Sequence, residues 1–255
     1  MTAYLYALAD NDPAGLPIAT KLRYTENSNE QQWGTGLWHS VTKVRSYRQD
    51  FIDQRTGTVG THVVVEESGA PLLLALRLKM DGDVIAEAEA FTVRSLAEGA
   101  AFNIDGLTLA TATMEYVPKA AQLNSREELV HIASTYVAGL EQGSFVAADV
   151  PFALSAYRLE NGAMQAGPNC ELNEGCKNIK TQKLGPGRTG MTQRLLAVDE
   201  RLGIVWYNLS WERGADHRLV VWEAFKIYDE QIHAAEVFMK RAPRDWTDGW
   251  TRGEG

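Results

Sequence analysis

Residues 17–27 read Pro-Ile-Ala-Thr-Lys-Leu-Arg-Tyr-Thr-Glu-Asn, and residues 151–161 read Pro-Phe-Ala-Leu-Ser-Ala-Tyr-Arg-Leu-Glu-Asn. The proline, the alanine two positions later and the closing Glu-Asn pair recur at one spacing. Further echoes follow in the same order, pairing residues 53–57 with 199–203 and residues 79–89 with 226–236. A solenoid repeat would have a period of roughly 20–50 residues. This much longer, collinear echo predicts two duplicated domains of about 120 residues each, within the usual domain size range.

Composition restricts the classes of partner. The 255 residues are 45% hydrophobic and 23% charged, which is ordinary for a globular protein. The formal net charge of −8 disfavours nucleic acid and anionic membranes, because phosphates would be repelled. No apolar run approaches the roughly 20 residues of a membrane span, and no signal-peptide pattern opens the chain. We therefore expect a cytoplasmic protein with no nucleic-acid or membrane partner; a homo-oligomer is compatible with the sequence.

The two cysteines and five histidines do not form a metal-binding pattern. Cys170 and Cys176 alone are too few for a thiolate zinc site. No two histidines form an HxH or HxxxH pair. The sequence predicts two reduced thiols and no bound metal.

Each copy reads as helix first and strands afterwards. Tyr4, Leu5 and Leu8 have helical spacing in the first copy, while Ser125 and Glu128 form a capping box in the second. Long alternating segments joined by turn signals such as Asp81-Gly82 then predict antiparallel strands. This order indicates α+β domains, each with a curved antiparallel sheet packed on helices. The predicted boundaries are 1–96 for the first domain, 97–123 for a linker, 124–241 for the second domain and 242–255 for a tryptophan-containing tail.

Several short sequence motifs carry a family resemblance: Tyr24-Thr-Glu-Asn27, Gly36-Leu-Trp38, Tyr47-Arg48, Val65-Glu66-Glu67-Ser-Gly69 and Leu74-Ala-Leu-Arg-Leu-Lys79. They resemble a family of tandem proteins in the nuclear-transport-factor-2-like superfamily, which includes ketosteroid isomerase and SnoaL-type cyclases. The resemblance covers essentially residues 3–240 and implies two cone-shaped domains. Its characterised relatives are the cofactor-less diarylpropane lyases of lignin-degrading sphingomonads.

The resemblance implies a cofactor-independent carbon–carbon lyase. Such an enzyme would remove formaldehyde from a lignin-derived diarylpropane diol by general acid–base catalysis and leave a stilbene. Its partner would be a small aromatic substrate. Two alternatives remain open: an isomerase or dehydratase of the ketosteroid-isomerase type on another aromatic substrate, and a small-ligand-binding protein.

Three catalytic candidates of the first copy lie in a predicted short helix and strand. His39 could act as a general base, because imidazole titrates near neutral pH, or it could be a surface residue at a helix start. Tyr47 and Arg48 are adjacent on a strand and must face opposite ways, so one should face the pocket. A tyrosine there could bind a carbonyl or phenol oxygen, as in ketosteroid isomerase. Arg48 could instead hold a phenolate, or form an ion pair with Asp50 or Glu66.

Glu26 is the fourth catalytic candidate and the best carboxylate base in the first copy. The Glu26-Asn27 pair recurs as Glu160-Asn161. Asparagine readily adopts left-handed backbone geometry, and glutamate can accept backbone N–H groups. A structural turn shared by both copies is therefore the competing explanation.

Five further residues are predicted to contact substrate: Tyr24, Trp38, Arg77, Lys79 and His131. Arg77 falls roughly opposite Glu87 in its hairpin, with Glu89 on the same face, so cross-strand ion pairs are the alternative to a pocket wall. His131 lies either on a solvated helix flank or at a site.

The sequence predicts that the first copy does the chemistry. In the second copy, Gly185-Pro-Gly187 stands near where the short helix should close the pocket. The second copy is therefore predicted to be mainly structural. Its strands bearing Trp206, Trp211 and Trp222 should pack on the face of residues 72–78.

Overall fold

The computed structural model of the protein describes residues 1–250, so the last five residues of the predicted tail lie outside the described range. The α-helices are α1 (Thr2–Ala9), α2 (Leu37–Ser40), α3 (Ala112–Glu115) and α4 (Arg126–Gln142). The strands of the first sheet are β1 (Ile18–Glu26), β2 (Asn29–Glu30), β3 (Val41–Asp53), β4 (Thr58–Glu67), β5 (Ala70–Asp81) and β6 (Val84–Val93). Those of the second are β7 (Phe152–Glu160), β8 (Ala163–Ala166), β9 (Thr192–Asp199), β10 (Ile204–Arg213), β11 (His217–Tyr228) and β12 (Gln231–Pro243).

The two sheets have the same topology. Their strand orders are β2-β1-β6-β5-β4-β3 and β8-β7-β12-β11-β10-β9. All neighbours are antiparallel except that the first long strand of each sheet pairs parallel with the last. Within residues 1–250, three short 3₁₀ helices lie in the connections: Ile104–Gly106, Ala120–Gln122 and Glu174–Lys177. The expected tandem α+β architecture, in which each half has a helix followed by a long-stranded antiparallel sheet, is confirmed.

Each sheet packs one face against its own helix. In the first domain, Tyr4, Leu5 and Leu8 of α1 contribute to a core that includes alternate residues of β5. In the second, α4 begins with the predicted capping box, in which the Ser125 backbone N–H donates to Glu128 at 2.7 Å. α4 ends at Gly143, whose φ of 71° lies in the left-handed region. In each domain the helix and one face of the sheet thus enclose an interior space, which we call the cone of that domain.

The other faces of the two sheets pack against each other. Trp206 and Trp222 are fully buried there, with ring centroids 5.0 Å apart, and Trp222 stacks on Phe91 of the first domain. The predicted sheet-to-sheet packing is therefore present, but two details differ. Leu73 and Ala75 face the interface, whereas the alternating leucines of β5 face the α1 core. Trp211 lies on the opposite face of its strand, inside the second cone.

A pair of aspartates crosses this interface reciprocally. Asp199 accepts the backbone N–H of Ile52 at 2.8 Å, and Asp53 accepts the backbone N–H of Val198 at 3.0 Å. Asp53 is 1% exposed and also binds Arg126 of α4 at 2.7 Å. Because the two aspartates stand at corresponding positions of the repeat, the interface has the self-complementarity of a two-fold dimer within one chain.

The recurring asparagines have the structural role that the repeat suggested. Asn27 and Asn161 both have φ of 49°. Asn27 bridges to the backbone and hydroxyl of Thr92, and Asn161 accepts the N–H and donates to the carbonyl of Met239. Each therefore fastens the end of the first long strand to the last strand of its sheet.

The tail after β12 crosses back to the first domain. The Trp250 ring lies under the guanidinium groups of Arg23 and Arg77, at 4.0 and 4.8 Å from its centroid. Its indole N–H donates to Thr25 at 3.2 Å. These cation–π contacts identify the first sheet as the surface on which the tail packs.

The prediction of two reduced thiols is wrong. Cys170 and Cys176 form a disulfide, and both are buried. The six-residue separation places them on one loop after β8. None of the helices within residues 1–250 combines the length and apolarity that crossing a bilayer would require.

Replacing Asp53 by alanine should destabilise the protein by about 3 kcal/mol, because the backbone N–H of Val198 loses its acceptor and Arg126 keeps only the more distant carboxylate of Glu200, 3.8 Å away, among its ion-pair partners within residues 1–250. Urea unfolding would measure the loss. Asp83→Ala, at an exposed turn, is the matched control and should stay within about 0.5 kcal/mol. Equal effects of the two substitutions would contradict the importance assigned to the reciprocal aspartates.

Candidate functional site

The cone of the first domain is filled by aromatic side chains. Trp38 is fully buried and lies 5.1 Å from Tyr4 and 4.8 Å from Trp33, centroid to centroid. Trp33 in turn meets Tyr24 edge-on at 5.6 Å. These contacts make the predicted substrate-binding residues Tyr24 and Trp38 part of a packed core.

Glu26 is committed to this core. Its carboxylate accepts the backbone N–H of Leu37 at 2.7 Å and the Tyr24 hydroxyl. Burial raises the pKa of Tyr24 well above its ordinary value, and the neighbouring Tyr4 and Glu26 add to the shift. A β-carbon at Gly36 would lie 2.3 Å from the Glu26 carboxylate, so glycine is needed for this close approach. Here Glu26 caps α2.

The other predicted residues are not brought together. His39 and His131 are exposed. Arg48 pairs with Asp50 at 2.6 Å, whereas Tyr47 points the other way and donates to Glu236 across the domain interface at 3.2 Å. The remaining two residues have structural partners. Arg77 pairs with Glu87 and Glu89 of the neighbouring strand β6, and the Lys79 ammonium donates to the Thr56 carbonyl in the turn between β3 and β4.

The second domain differs at the positions that correspond to this filled core. Tyr24 pairs with Ala88 in the first sheet as Arg158 pairs with Ala235 in the second, so Arg158 replaces Tyr24. Leu76 pairs with Ala90 as Glu223 pairs with Val237, so Glu223 replaces a core leucine. Ionisable groups thus occupy positions that hold a tyrosine and a leucine in the first domain.

These replacements line a cavity of about 140 Å³ between α4 and the second sheet. Its polar and aromatic lining is Tyr136, Arg158, Glu160, Arg188, Trp211, Arg213 and Glu223. Leu140, Leu219, Val221, Val237, Met239 and Ala100 complete the wall. Convergent polar groups in an otherwise apolar concavity are typical of ligand sites.

Arg158 is the central cation of the cavity. Its Nε lies 2.9 Å from Glu160 Oε1, and its Nη2 donates to Gln182 at 2.8 Å. Gln182 is itself held by the carbonyl of Gln165 at 2.7 Å. The guanidinium is therefore oriented from two sides while it remains next to the cavity.

Glu223 is the buried acid of the cavity. It is 2% exposed, and burial raises its pKa to about 8, against the opposing effects of Arg158 and Tyr136. Burial likewise raises the pKa of Tyr136 well above its ordinary value. At neutral pH both groups carry their protons, so each can donate a hydrogen bond to a ligand.

Two arginines surround the approach to the cavity. Arg188 is half-buried and packs over the Trp211 ring, while Arg213 is exposed. Burial lowers the pKa of Arg188, and the like charge of Arg213 contributes. Together with Arg158 they make this site cationic in a chain of net charge −8, which favours an anionic ligand.

The Gly-Pro-Gly segment presents Arg188 to the cavity. A β-carbon at Gly187 would lie 2.0 Å from the Glu141 carbonyl, so this loop passes directly over the end of α4. The Arg188 N–H then bonds to the Leu140 carbonyl at 3.2 Å. Sequence reasoning treated this segment as the loss of a closing helix and missed Arg188, Arg158 and Glu223 as cavity residues. Comparing the two copies position by position would have found the leucine-to-glutamate exchange.

Comparisons with known proteins assign no activity to the chain. Residues 122–239 match a family model described as a domain of unknown function, DUF8021. The matched residues include most of the residues that line the cavity. A crystal structure of an NTF2-like protein of unknown function from Shewanella baltica OS155 is similar at 10% identity, with 46% of this chain and 94% of that chain covered and a TM-score of 0.32. No curated protein matches the chain. Within residues 1–250, no group of three or more His, Cys, Asp or Glu side chains is arranged to hold a metal ion.

Glu223 should make the stability of the protein depend on pH. Its folded pKa is raised to about 8, so the folded state holds a proton that the unfolded chain releases near pH 4.5. The free energy of unfolding should therefore decrease as the pH rises from about 4.5 to about 8, by up to about 1.4 kcal/mol per pH unit. Urea unfolding at several pH values should show a shallower decline in Glu223→Gln than in the wild type, whereas Glu230→Gln, at an exposed position, keeps the wild-type slope. Some decline remains in Glu223→Gln because burial also raises the pKa of Glu236. An identical slope in wild type and Glu223→Gln would contradict the buried, protonated carboxyl.

Proposed function

We propose that the chain is a cofactor-independent acid–base enzyme of the ketosteroid-isomerase or dehydratase type, with its active site in the second domain. The observation that carries the proposal is the buried carboxyl of Glu223, with a pKa raised to about 8, in the same cavity as the Arg158–Glu160 ion pair. Two carboxyl groups in different environments can take opposite roles at one pH.

Glu160 is the base in this proposal. Its carboxylate lies 2.9 Å from Arg158 Nε, and it would take a proton from the carbon next to a substrate carbonyl. The carbonyl oxygen would gain negative charge and accept hydrogen bonds from the protonated Glu223 and from Tyr136. The proton on Glu160 would then return to another carbon in an isomerisation, or leave with a hydroxyl group as water in a dehydration.

The cavity and its charge limit the substrate. A volume of about 140 Å³ is below the roughly 300–1,000 Å³ of sites for drug-sized ligands. Arg188 and Arg213 at the approach favour a carboxylate or phenolate on the substrate. The proposed substrate is therefore a small anionic carbonyl compound with at most one ring.

Removal of formaldehyde from a diarylpropane diol stays a narrower prediction. It uses the same acid and base, but its two-ring substrate would need more room than a cavity of about 140 Å³ offers. Incubating the purified protein with such a diol and no cofactor, and monitoring stilbene absorbance and formaldehyde, tests it directly. If neither product forms, the lignin-specific prediction is wrong while the broader proposal remains open to its own test.

The proposal predicts base-catalysed exchange of carbon-bound hydrogen. Small keto acids and hydroxyphenyl ketones incubated with the protein in D₂O should gain deuterium next to the carbonyl, as measured by NMR. Glu160→Gln and Glu223→Gln should each slow this exchange by about 100-fold or more, because general acid–base groups contribute about 10²–10⁴-fold. Exchange should also decline above pH 8 as Glu223 loses its proton.

The same assay assigns the working half of the chain. Glu230→Gln is the matched control and should exchange at the wild-type rate. Loss of exchange in Arg48→Ala, with Arg158→Met and Glu160→Gln still active, would move the site to the first domain. Saturable binding of these ligands to the wild type without any exchange would favour the ligand-binding alternative.

A further inference from the structure

A second cavity lies on the opposite face of the second sheet, beneath the tail. It measures about 400 Å³, and its lining includes Thr192, Arg194, Asn208, Ser210, Arg218 and Trp246. Asn208 and Ser210 alternate along β10 with Leu209 and Trp211, which face the cone. The sheet itself therefore separates this cavity from the proposed active site.

Asn208 brings an unused donor to this cavity. The residue is 3% exposed, and among the described residues its Nδ2 has no hydrogen-bond partner. Leaving a buried amide unpaired is costly, and such groups in folded proteins usually have a partner. A ligand acceptor in the cavity would satisfy it.

Arg218 supplies the positive charge. Its guanidinium donates to Ser210 Oγ at 2.9 Å and to the Gly190 carbonyl at 2.5 Å, but it forms no ion pair with a carboxylate within residues 1–250. Arg194 is different, because its Nε and Nη2 already bind Asp248 and Glu89. The cation of this cavity that lacks an anionic partner in the described chain is thus Arg218.

Trp246 gives the cavity an apolar wall. Its side chain is partly buried against the interdomain cluster and lines the same space as Asn208 and Arg218. A planar group can pack on an indole face while an attached oxyanion reaches the amide and guanidinium donors. The hydroxyls of Thr192 and Ser210, which lie 2.8 Å apart, add polar groups at that end.

We propose that this cavity binds a small organic oxyanion, a carboxylate or phosphate carried on a planar apolar group. Asn208 and Arg218 bind the oxyanion, and Trp246 packs against the apolar group. This site is separate from the proposed active site and does not depend on the proposed reaction.

Indole N–H resonances distinguish the two cavities in the full-length protein. Trp246 reports on this site and Trp211 on the cone; Trp→Phe variants would assign both signals among the seven tryptophans. Titration with benzoate or phenyl phosphate should shift the Trp246 signal saturably, while neutral benzyl alcohol at equal concentration should not. A response to one anion alone identifies the carboxylate or the phosphate as the preferred group.

Two substitutions test the donors. Asn208→Asp retains the side-chain shape but replaces the donor by a carboxylate, and Arg218→Gln removes the charge; each should weaken the Trp246 response at least about tenfold. Arg213→Gln removes the same charge on the neighbouring strand, outside this cavity, and should leave the response unchanged. Equal shifts with benzyl alcohol, no Trp246 shift at millimolar anion, or shifts confined to Trp211 would each overturn the proposal.

Discussion

The structure depends on the face-to-face packing of two duplicated sheets, held at its edge by reciprocal hydrogen bonds of Asp53 and Asp199. Each aspartate accepts a backbone N–H from the other domain. The corresponding residues Glu236 and Glu89 also bind across the interface, although their partners differ: Tyr47 donates to Glu236, and Arg194 pairs with Glu89. Because corresponding residues of both copies supply the contacts, neither half can change this face without disturbing the other.

Within residues 1–250, the sheet faces turned away from the interface do not contact the other copy. The two copies differ in sequence and packing on those faces. The first cone contains interlocked aromatic rings and a glutamate that caps a helix. The second contains Arg158, Glu160 and Glu223 around a cavity. One fold thus carries a packed core in one half and a polar concavity in the other.

Placing charged groups in the second cone has an energetic cost. Buried ions lose hydration, and their mutual attraction offsets this only when geometry and hydrogen bonds are favourable. Three features reduce this cost: the Arg158–Glu160 ion pair, the hydrogen bond from Arg158 to Gln182, and the raised pKa by which Glu223 retains its proton. The filled first cone and the shared interface supply stability that the second cone gives up, a common relation between a functional site and its scaffold.

The sequence by itself determined the duplication, the order of helix and strands, the capping box and the turn role of the two asparagines. Those features follow from local propensity and from period, which neighbouring residues carry. Tertiary structure alone decided which half has a cavity between its helix and its sheet. Trp38 and Glu26 look like site residues until Tyr4 and Trp33 are seen to fill the space beside them. It also decided the pairing of Cys170 with Cys176 and the position of Arg188, which depends on a loop crossing the end of α4. Side-chain environment is a property of packing between distant segments. It makes Glu223 a buried acid with a raised pKa, at a position that the sequence pattern presents as one more strand residue.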